Sequence, residues 1–284
     1  NPELNQSITP NSFQNWCQDP DRETLVMGII NVTPDSFSDG GQFYHPEKAI
    51  LHAIQLIKDG ADIIDIGGES SRPGANHVLL QEELERTIPV IQKIRQTSPD
   101  TLISIDTYKS EVAIQAIEAG ANMINDISGL TMDKTMPNIA ADLGVPIVIM
   151  HMQGTPANMQ VNPHYEDLIL DITSFFSDQI KLANTAGIKM ERIILDPGIG
   201  FGKTIDHNFQ LIQNLNEFCK LGYPILIGPS RKSFIGTTLD LPPEDRLEGT
   251  SAVVTAGIMN GARIVRVHDV KEIKRVVTIT EKIR

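Results

Sequence analysis

The 284-residue chain predicts an α/β fold, a single-domain (β/α)8 or TIM barrel, and three observations carry that prediction. Short apolar runs recur along the whole chain, and almost every one ends in a polar cluster of unusual chemistry. Glycines stand just ahead of six of the runs, at Gly60, Gly120, Gly144, Gly187, Gly222 and Gly261, where a helix end calls for the left-handed conformation that only glycine adopts without steric cost. The runs themselves are nearly continuous Ile, Val, Leu and Met, the pattern of parallel strands covered on both faces.

Taken in order, residues 1–23 are expected to form an extension over the amino-terminal mouth of a barrel spanning 24–284, with Trp16 as its anchor. The first strand is TLVMGII from Thr24, followed by NVTPDSFSDGG from Asn31. A helix over PEKAILHAIQLIKDG places Ala49, Ile50, Ala53, Ile54 and Ile57 on one face, with Pro46 suited to the first turn. The second strand lies in DGADIIDIGGES and the third in TLISID from Thr101; KSEVAIQAIEAG then reads as a helix with Ser110 as its cap. Strands four to eight follow in AGANMINDISG, LGVPIVIMHMQG, AGIKMERIILDPGIG, LGYPILIGPS and NGARIVRVHD. Eight right-handed βα units close naturally into a barrel. A doubly wound sheet would need a reversal of strand order, and its nucleotide-binding form would show GxGxxG after the first strand, where NVTPDSF stands instead. The small-residue stretch GTSAVVTAGIMNGA allows close packing against the barrel or against another subunit.

A net charge of −12 repels phosphate backbones and anionic membranes, which argues against nucleic-acid or lipid-surface partners. An anionic substrate would therefore need a local basic patch. No stretch approaches the roughly 20 apolar residues of a membrane span, and the amino-terminal segment lacks the basic-then-apolar pattern of a secretory signal, so a cytoplasmic location is expected. Cys17 and Cys219 are the two cysteines; without a CxxC partner they support neither a disulfide framework nor a thiolate zinc site and read as buried inert thiols.

The carboxyl ends of barrel strands meet on one face, so the scattered polar clusters should converge into one pocket. Asp at a strand end is more often a turn or cap residue. Asp106, Asn125 and Asp196 at equivalent ends of neighbouring strands, together with Lys232, instead suit a flat heterocycle with an amino-pyrimidinone edge: carboxylates accept from a ring N–H and an exocyclic amine, while Asn both donates and accepts. GPSRKSFIG and RVHD bring Arg231, Lys232, Arg266 and His268 to the ends of strands seven and eight, the recurrent phosphate site of this barrel. Lys271 and Lys274 are expected to be merely solvated. NVTPDSFSDGG and GGESSRPGA have the composition of mobile lids. Asn31 and Asp39 offer hard oxygen ligands that suit Mg2+ held largely through substrate phosphate and water. With no HExxH spacing, zinc is a poor fit. Met150 is assigned to the core, while Met152 and Met159 could belong to the core or wall a ring. His151 is assigned a structural hydrogen bond rather than a role as general base. Phe201 could stack on a ligand. No GxSxG elbow supports serine hydrolysis.

Over residues 24–270, the ordered motifs NVTPDSFSDGG, GGES-x-RPGA, DPGIGFGK, SRKSF and RVHDV together resemble the dihydropteroate synthase family. That resemblance implies a (β/α)8 homodimer that joins p-aminobenzoate to 6-hydroxymethyl-7,8-dihydropterin pyrophosphate. It implies that Asp106, Asn125, Asp196 and Lys232 hold the pterin, and that Asn31, Arg266 and His268 hold the pyrophosphate, with Asn31 also on Mg2+. Phe37, Ser71, Arg72, Pro73, Phe201, Lys232 and Ser233 would build the p-aminobenzoate pocket, with Asp39 organising the lids. Ser71 stands where the family usually has Thr, which keeps the hydroxyl and loses a methyl. The chemistry expected is dissociative loss of pyrophosphate, stabilised by Mg2+, Arg266 and the anion loop, then attack by an arylamine that needs no strong base. A pterin-dependent methyltransferase domain and a catalytically silent pterin-binding homologue are the competing readings.

Overall fold

A computed structural model describes residues 8–33, 46–72, 74–75 and 77–284. The expectations for Phe37, Asp39 and Pro73 lie outside the described residues. Among those described, the strands β1 (Leu25–Asn31), β2 (Ile63–Gly67), β3 (Leu102–Asp106), β4 (Met123–Asp126), β5 (Ile147–Met150), β6 (Ile193–Asp196), β7 (Ile225–Ile227) and β8 (Ala262–Val267) pair in sequence order, and β8 returns to β1 to close the barrel. Every pairing is parallel. All eight strands are the predicted ones, and the intervening segments supply the helices. The six glycines that mark helix-to-strand turns all have positive φ.

Two apolar layers hold the fold together. The outer one lies between strands and helices; each fully buried Val, Leu or Ile there contributes roughly 1.5–3 kcal/mol. In α2 (Pro46–Lys58) the buried positions are Ala49, Ala53 and Leu56, with Ile50 and Ile57 packed at their edge. The stripe follows the i, i+4, i+7 row, so Leu56 is more deeply buried than Ile54. The helix α4 (Ser110–Glu118) begins one residue earlier than a Ser110 cap would require. Ser110 is its first helical residue, and the Asp133 carboxylate accepts the Ser110 N–H at 2.8 Å.

The inner layer fills the amino-terminal half of the barrel. Met27, Ile63, Leu102, Met123, Val148, Ile194, Leu226 and Ile264 form one buried cluster with Phe13, Trp16 and Cys17, the three buried side chains of helix α1 (Pro10–Gln18). Thr9 caps that helix, Phe13 stacks on Trp16 at 5.4 Å, and the indole N–H donates to the Glu23 carbonyl at 2.8 Å. The Cys17 thiol is buried and pushed up to about 12 by that burial, with Arg22 opposing, whereas Cys219, also expected to be buried, is half-buried. On helix α10 (Leu247–Met259) two of the small residues pack closely within the subunit: a Cβ on Gly257 would meet Ile227 Cδ1 of β7 at 2.4 Å, and one on Gly249 would meet Ile235 Cγ2 at 2.3 Å. Lys274, on the helix α11 (Val270–Ile283) that follows β8, is paired with Asp62 at 2.6 Å rather than merely solvated.

Candidate active site

Alternate residues of a barrel strand face the interior. Two positions beyond the apolar floor, the inward residues are Ile29, Asp65, Ser104, Asn125, Met150, Asp196, Gly228 and Arg266. The interior thus turns from wholly apolar to mostly polar in one step, with five polar side chains among those eight positions. Asp106, two residues beyond Ser104 on β3, lies in register with Asn125. Asp106, Asn125, Asp196, Lys232 and Arg266 line a single pocket with Ser71, Ile127, Met150, Ile199, Phe201 and Gly228. A roomier hollow of about 790 Å3 at the amino-terminal mouth gathers none of the predicted site residues.

An unpaired buried charge costs several kcal/mol, so the polar layer must be internally paired. Arg266 supplies the pairing. Its Nε donates to Asp65 Oδ2 at 2.6 Å and its Nη2 to Asp106 Oδ2 at 3.0 Å, which leaves Nη1 over. Asp65, fully buried on β2, also accepts from Asn125 Nδ2 at 3.0 Å. Among the described residues, Asp65 Oδ1, Ser104 Oγ and Asn125 Oδ1 are buried without a partner. Burial, reinforced by the Asp65 carboxylate, pushes the Asp106 carboxyl up, with Arg266 opposing.

The opposite wall is built by the loop after β6. Asp196 accepts the Gly198 N–H at 2.8 Å; burial raises its carboxyl to about 6, with that hydrogen bond and Lys232 opposing. Gly198 sits at φ 73°, and a Cβ there would lie 1.9 Å from the His151 carbonyl oxygen, so this tight turn requires glycine. Lys203, 3% exposed, donates to the carbonyls of Gly198 and Phe201 at 2.9 and 2.8 Å and lies 3.0 Å from His151 Nδ1. It pins the loop that carries Phe201, and burial lowers it to about 7. His151 is held edge-on to Phe175 and depressed to about 2 by burial and Lys203, which suits the structural assignment. Phe201 joins Ile127, Met150 and Met159 in a small buried cluster, with Met152 at its edge; of the three methionines, Met150, assigned to the core, also lines the pocket. The Lys232 ammonium lies 4.1 Å from the Phe201 ring centroid, and burial beside Arg266 lowers it to about 8.

At the rim, Asn31 ends β1 half-buried, and His268 follows β8 with Nδ1 2.9 Å from Ser230 Oγ. Burial, then Arg266 and Arg231, depress His268 to about 3, so the ring is neutral at neutral pH. Arg231, expected to help grip an anion, is instead committed to Asp269 through Nε at 3.1 Å and Nη2 at 2.5 Å. Its preference for a nearby fixed carboxylate leaves Arg266 as the guanidinium of the pocket. Ser71 lines the pocket, whereas Arg72 and Ser233 are exposed. Among the described residues no three His, Cys, Asp or Glu side chains gather as a metal cage. Among the described residues, Asn31 offers a hard oxygen of the kind that Mg2+, bound largely through water and substrate oxygens, would take.

A family model described as "Pterin binding enzyme" matches residues 27–268. The dihydropteroate synthase of Synechocystis sp. (strain ATCC 27184 / PCC 6803 / Kazusa) is 52% identical over 261 residues, covering 92% of this chain and 90% of that protein. This chain belongs to the dihydropteroate synthase family of pterin-binding enzymes. It is accordingly a transferase. Two solved dihydropteroate synthases share its fold closely. The Yersinia pestis enzyme with a sulfonamide drug matches at TM-score 0.88 and 46% identity, over 92% of this chain and 94% of that one. The Xanthomonas albilineans enzyme in complex with 7,8-dihydropteroate matches at TM-score 0.84 and 40% identity, over 93% and 95%.

Asp65 and Lys203 were not among the predicted site residues. Asp65 sits inside an apolar strand, yet it stands two residues after Ile63, as Asn125 does after Met123 and Arg266 after Ile264. That shared spacing is a signal the sequence contains. Lys203 carries none, since its partners are backbone carbonyls fixed only by the folded loop.

Proposed function

We propose that the chain condenses 6-hydroxymethyl-7,8-dihydropterin pyrophosphate with p-aminobenzoate to give 7,8-dihydropteroate and pyrophosphate, a step of folate synthesis. The observation that carries this reading is the convergence of Asp106, Asn125, Asp196, Lys232 and Arg266 on one pocket above an apolar floor. The solved relative that holds 7,8-dihydropteroate adds support.

In this reading the Asp196 carboxylate accepts from the ring N–H and exocyclic amine of the pterin, and Asn125 Oδ1, which has no protein partner, accepts a further donor. Asp106 and Lys232 complete the edge, with Phe201 against the ring. The spare Nη1 of Arg266, with His268 and Asn31, receives the pyrophosphate. Asn31 would hold a bound Mg2+, which would supply Lewis-acid neutralisation of the leaving group. The methylene carbon–oxygen bond breaks with its electron pair going to pyrophosphate, leaving a cation delocalised into the dihydropterin ring. The neutral arylamine nitrogen then attacks that carbon and gives up a proton to pyrophosphate or water. No protein base is needed, and a neutral His268 and a depressed His151 are consistent with that. Ser71, Arg72 and Ser233 supply the p-aminobenzoate side, holding the arylamine beside the cation.

Two copies pair in this reading, so sedimentation should give about twice the 31.3 kDa subunit mass; a monomer at assay concentration would remove that part. The two free cysteines suit a reducing cytoplasm, and among the described residues no helix is long and apolar enough to cross a membrane. Incubation with the dihydropterin pyrophosphate, p-aminobenzoate and Mg2+ tests the reaction. 7,8-Dihydropteroate and pyrophosphate should form in equal amounts, and the absence of dihydropteroate would defeat the reading.

A further inference from the structure

One oxygen touches both halves of the pocket. Asp65 Oδ2 accepts from Asn125 Nδ2 at 3.0 Å and from Arg266 Nε at 2.6 Å, and Asp65 and Asn125 are 0% and 2% exposed. A carboxylate can only accept, whereas a carboxamide presents a donor at one end and an acceptor at the other. Facing Asp65, the Asn125 amide must turn its nitrogen inward, which leaves Oδ1 as the end without a protein partner. Without an acceptor at position 65, nothing among its recorded contacts would prevent the amide from turning over and presenting a donor to the substrate. The same oxygen sets the guanidinium of Arg266, directing Nη2 to Asp106 and sparing Nη1.

We propose that Asp65 is the positioning residue of this site: it decides that Asn125 meets the pterin as an acceptor, and it orients Arg266 toward the leaving group. The proposal rests on the pterin-binding reading given above. It makes the acceptor at position 65, rather than its negative charge, the property that pterin binding requires. Asp65→Asn keeps an oxygen able to accept from both neighbours, removes the charge and puts an NH2 in place of the unpartnered Oδ1. Asp65→Ala removes the acceptor. In Asp65→Ala/Asn125→Asp, the side chain at 125 has two equivalent oxygens, so it needs no neighbour to choose its polarity.

The test is calorimetric binding of 6-hydroxymethylpterin to wild type and these three variants, with kcat and KM for the pyrophosphate substrate measured alongside. Asp65→Ala should weaken pterin binding at least about tenfold, as expected when a buried acceptor is replaced by a mismatched donor. Asp65→Asn should stay within about threefold of wild type in pterin affinity while losing kcat, because a neutral oxygen grips the guanidinium less firmly. The double variant should recover most of the affinity lost by Asp65→Ala. Wild-type affinity in Asp65→Ala, an equal loss in Asp65→Asn and Asp65→Ala, or no recovery in the double variant would each overturn the proposal. Asp65→Asn matches aspartate in size, and keeps the test open if the alanine variant does not fold: a tenfold loss of pterin affinity there is decisive against it. A wild-type protein that binds no pterin would instead overturn the functional reading itself.

Discussion

Asp196 carries the steepest single-residue expectation. In Asp196→Asn an acceptor oxygen becomes an amine facing other donors, so pterin affinity should fall by roughly 1.5–3 kcal/mol per lost charge-assisted hydrogen bond; wild-type affinity in calorimetry would refute its place at the pterin edge. The same carboxyl has a pH signature. Burial raises it from 3.8 to about 6, so between those values the folded protein holds a proton that the unfolded chain has released. Its contribution to stability is complete below about pH 4 and is lost as the pH rises through about 6. Asp196→Asn has no such proton. The Tm of this variant minus that of wild type should therefore climb between pH 4 and 7, and a flat difference would contradict the raised carboxyl. Arg266→Ala unpairs two buried carboxylates and should lower stability, but its specific effect is a far larger loss for the pyrophosphate substrate than for free pterin. Equal losses for the two ligands would remove Arg266 from the anion site. Asp106, Asn125, Asp196 and Arg266 were legible in the sequence because each ends a recognisable apolar run. The commitment of Arg231 to Asp269 was not, because it depends on a left-handed φ of 57° at Arg231 and on a partner 38 positions away.

At the scale of elements, the strands and their glycine turns were legible because parallel strands covered on both faces need unbroken apolar runs, and helix ends need positive φ. The cap of α4 was not legible: Asp133, which takes the Ser110 N–H, lies 23 residues further along the chain. The turn after β6 is the element most intolerant of change. Gly198→Ala would force a Cβ against the His151 carbonyl oxygen at 1.9 Å, at a φ of 73°, so the loop must shift and take the Asp196 hydrogen bond and Lys203 contacts with it. The variant should lose both Tm and pterin affinity. A wild-type melting curve with intact binding would show that the turn is not the constraint described here.

Across the whole molecule, function follows from a vertical gradient inside the barrel. The lower ring is sealed by apolar side chains and the helix α1 from below, which excludes water and lets the ring above sustain raised carboxyls at Asp106 and Asp196. In the proposed reading, a protein of net charge −12 holds its anionic substrate through Lys232 and Arg266, which line one pocket. The repeating unit made the closed barrel legible. The shared role of Asp65 emerged only when three strands were set side by side, since its two partners lie 60 and 201 positions away. The most direct measurement is a crystal structure of the protein soaked with pterin and pyrophosphate. The fused ring should lie against Asp106, Asn125, Asp196 and Lys232, with pyrophosphate beside Arg266, His268 and Asn31; a pterin seated at the amino-terminal mouth, or a pyrophosphate away from Arg266, would contradict the account.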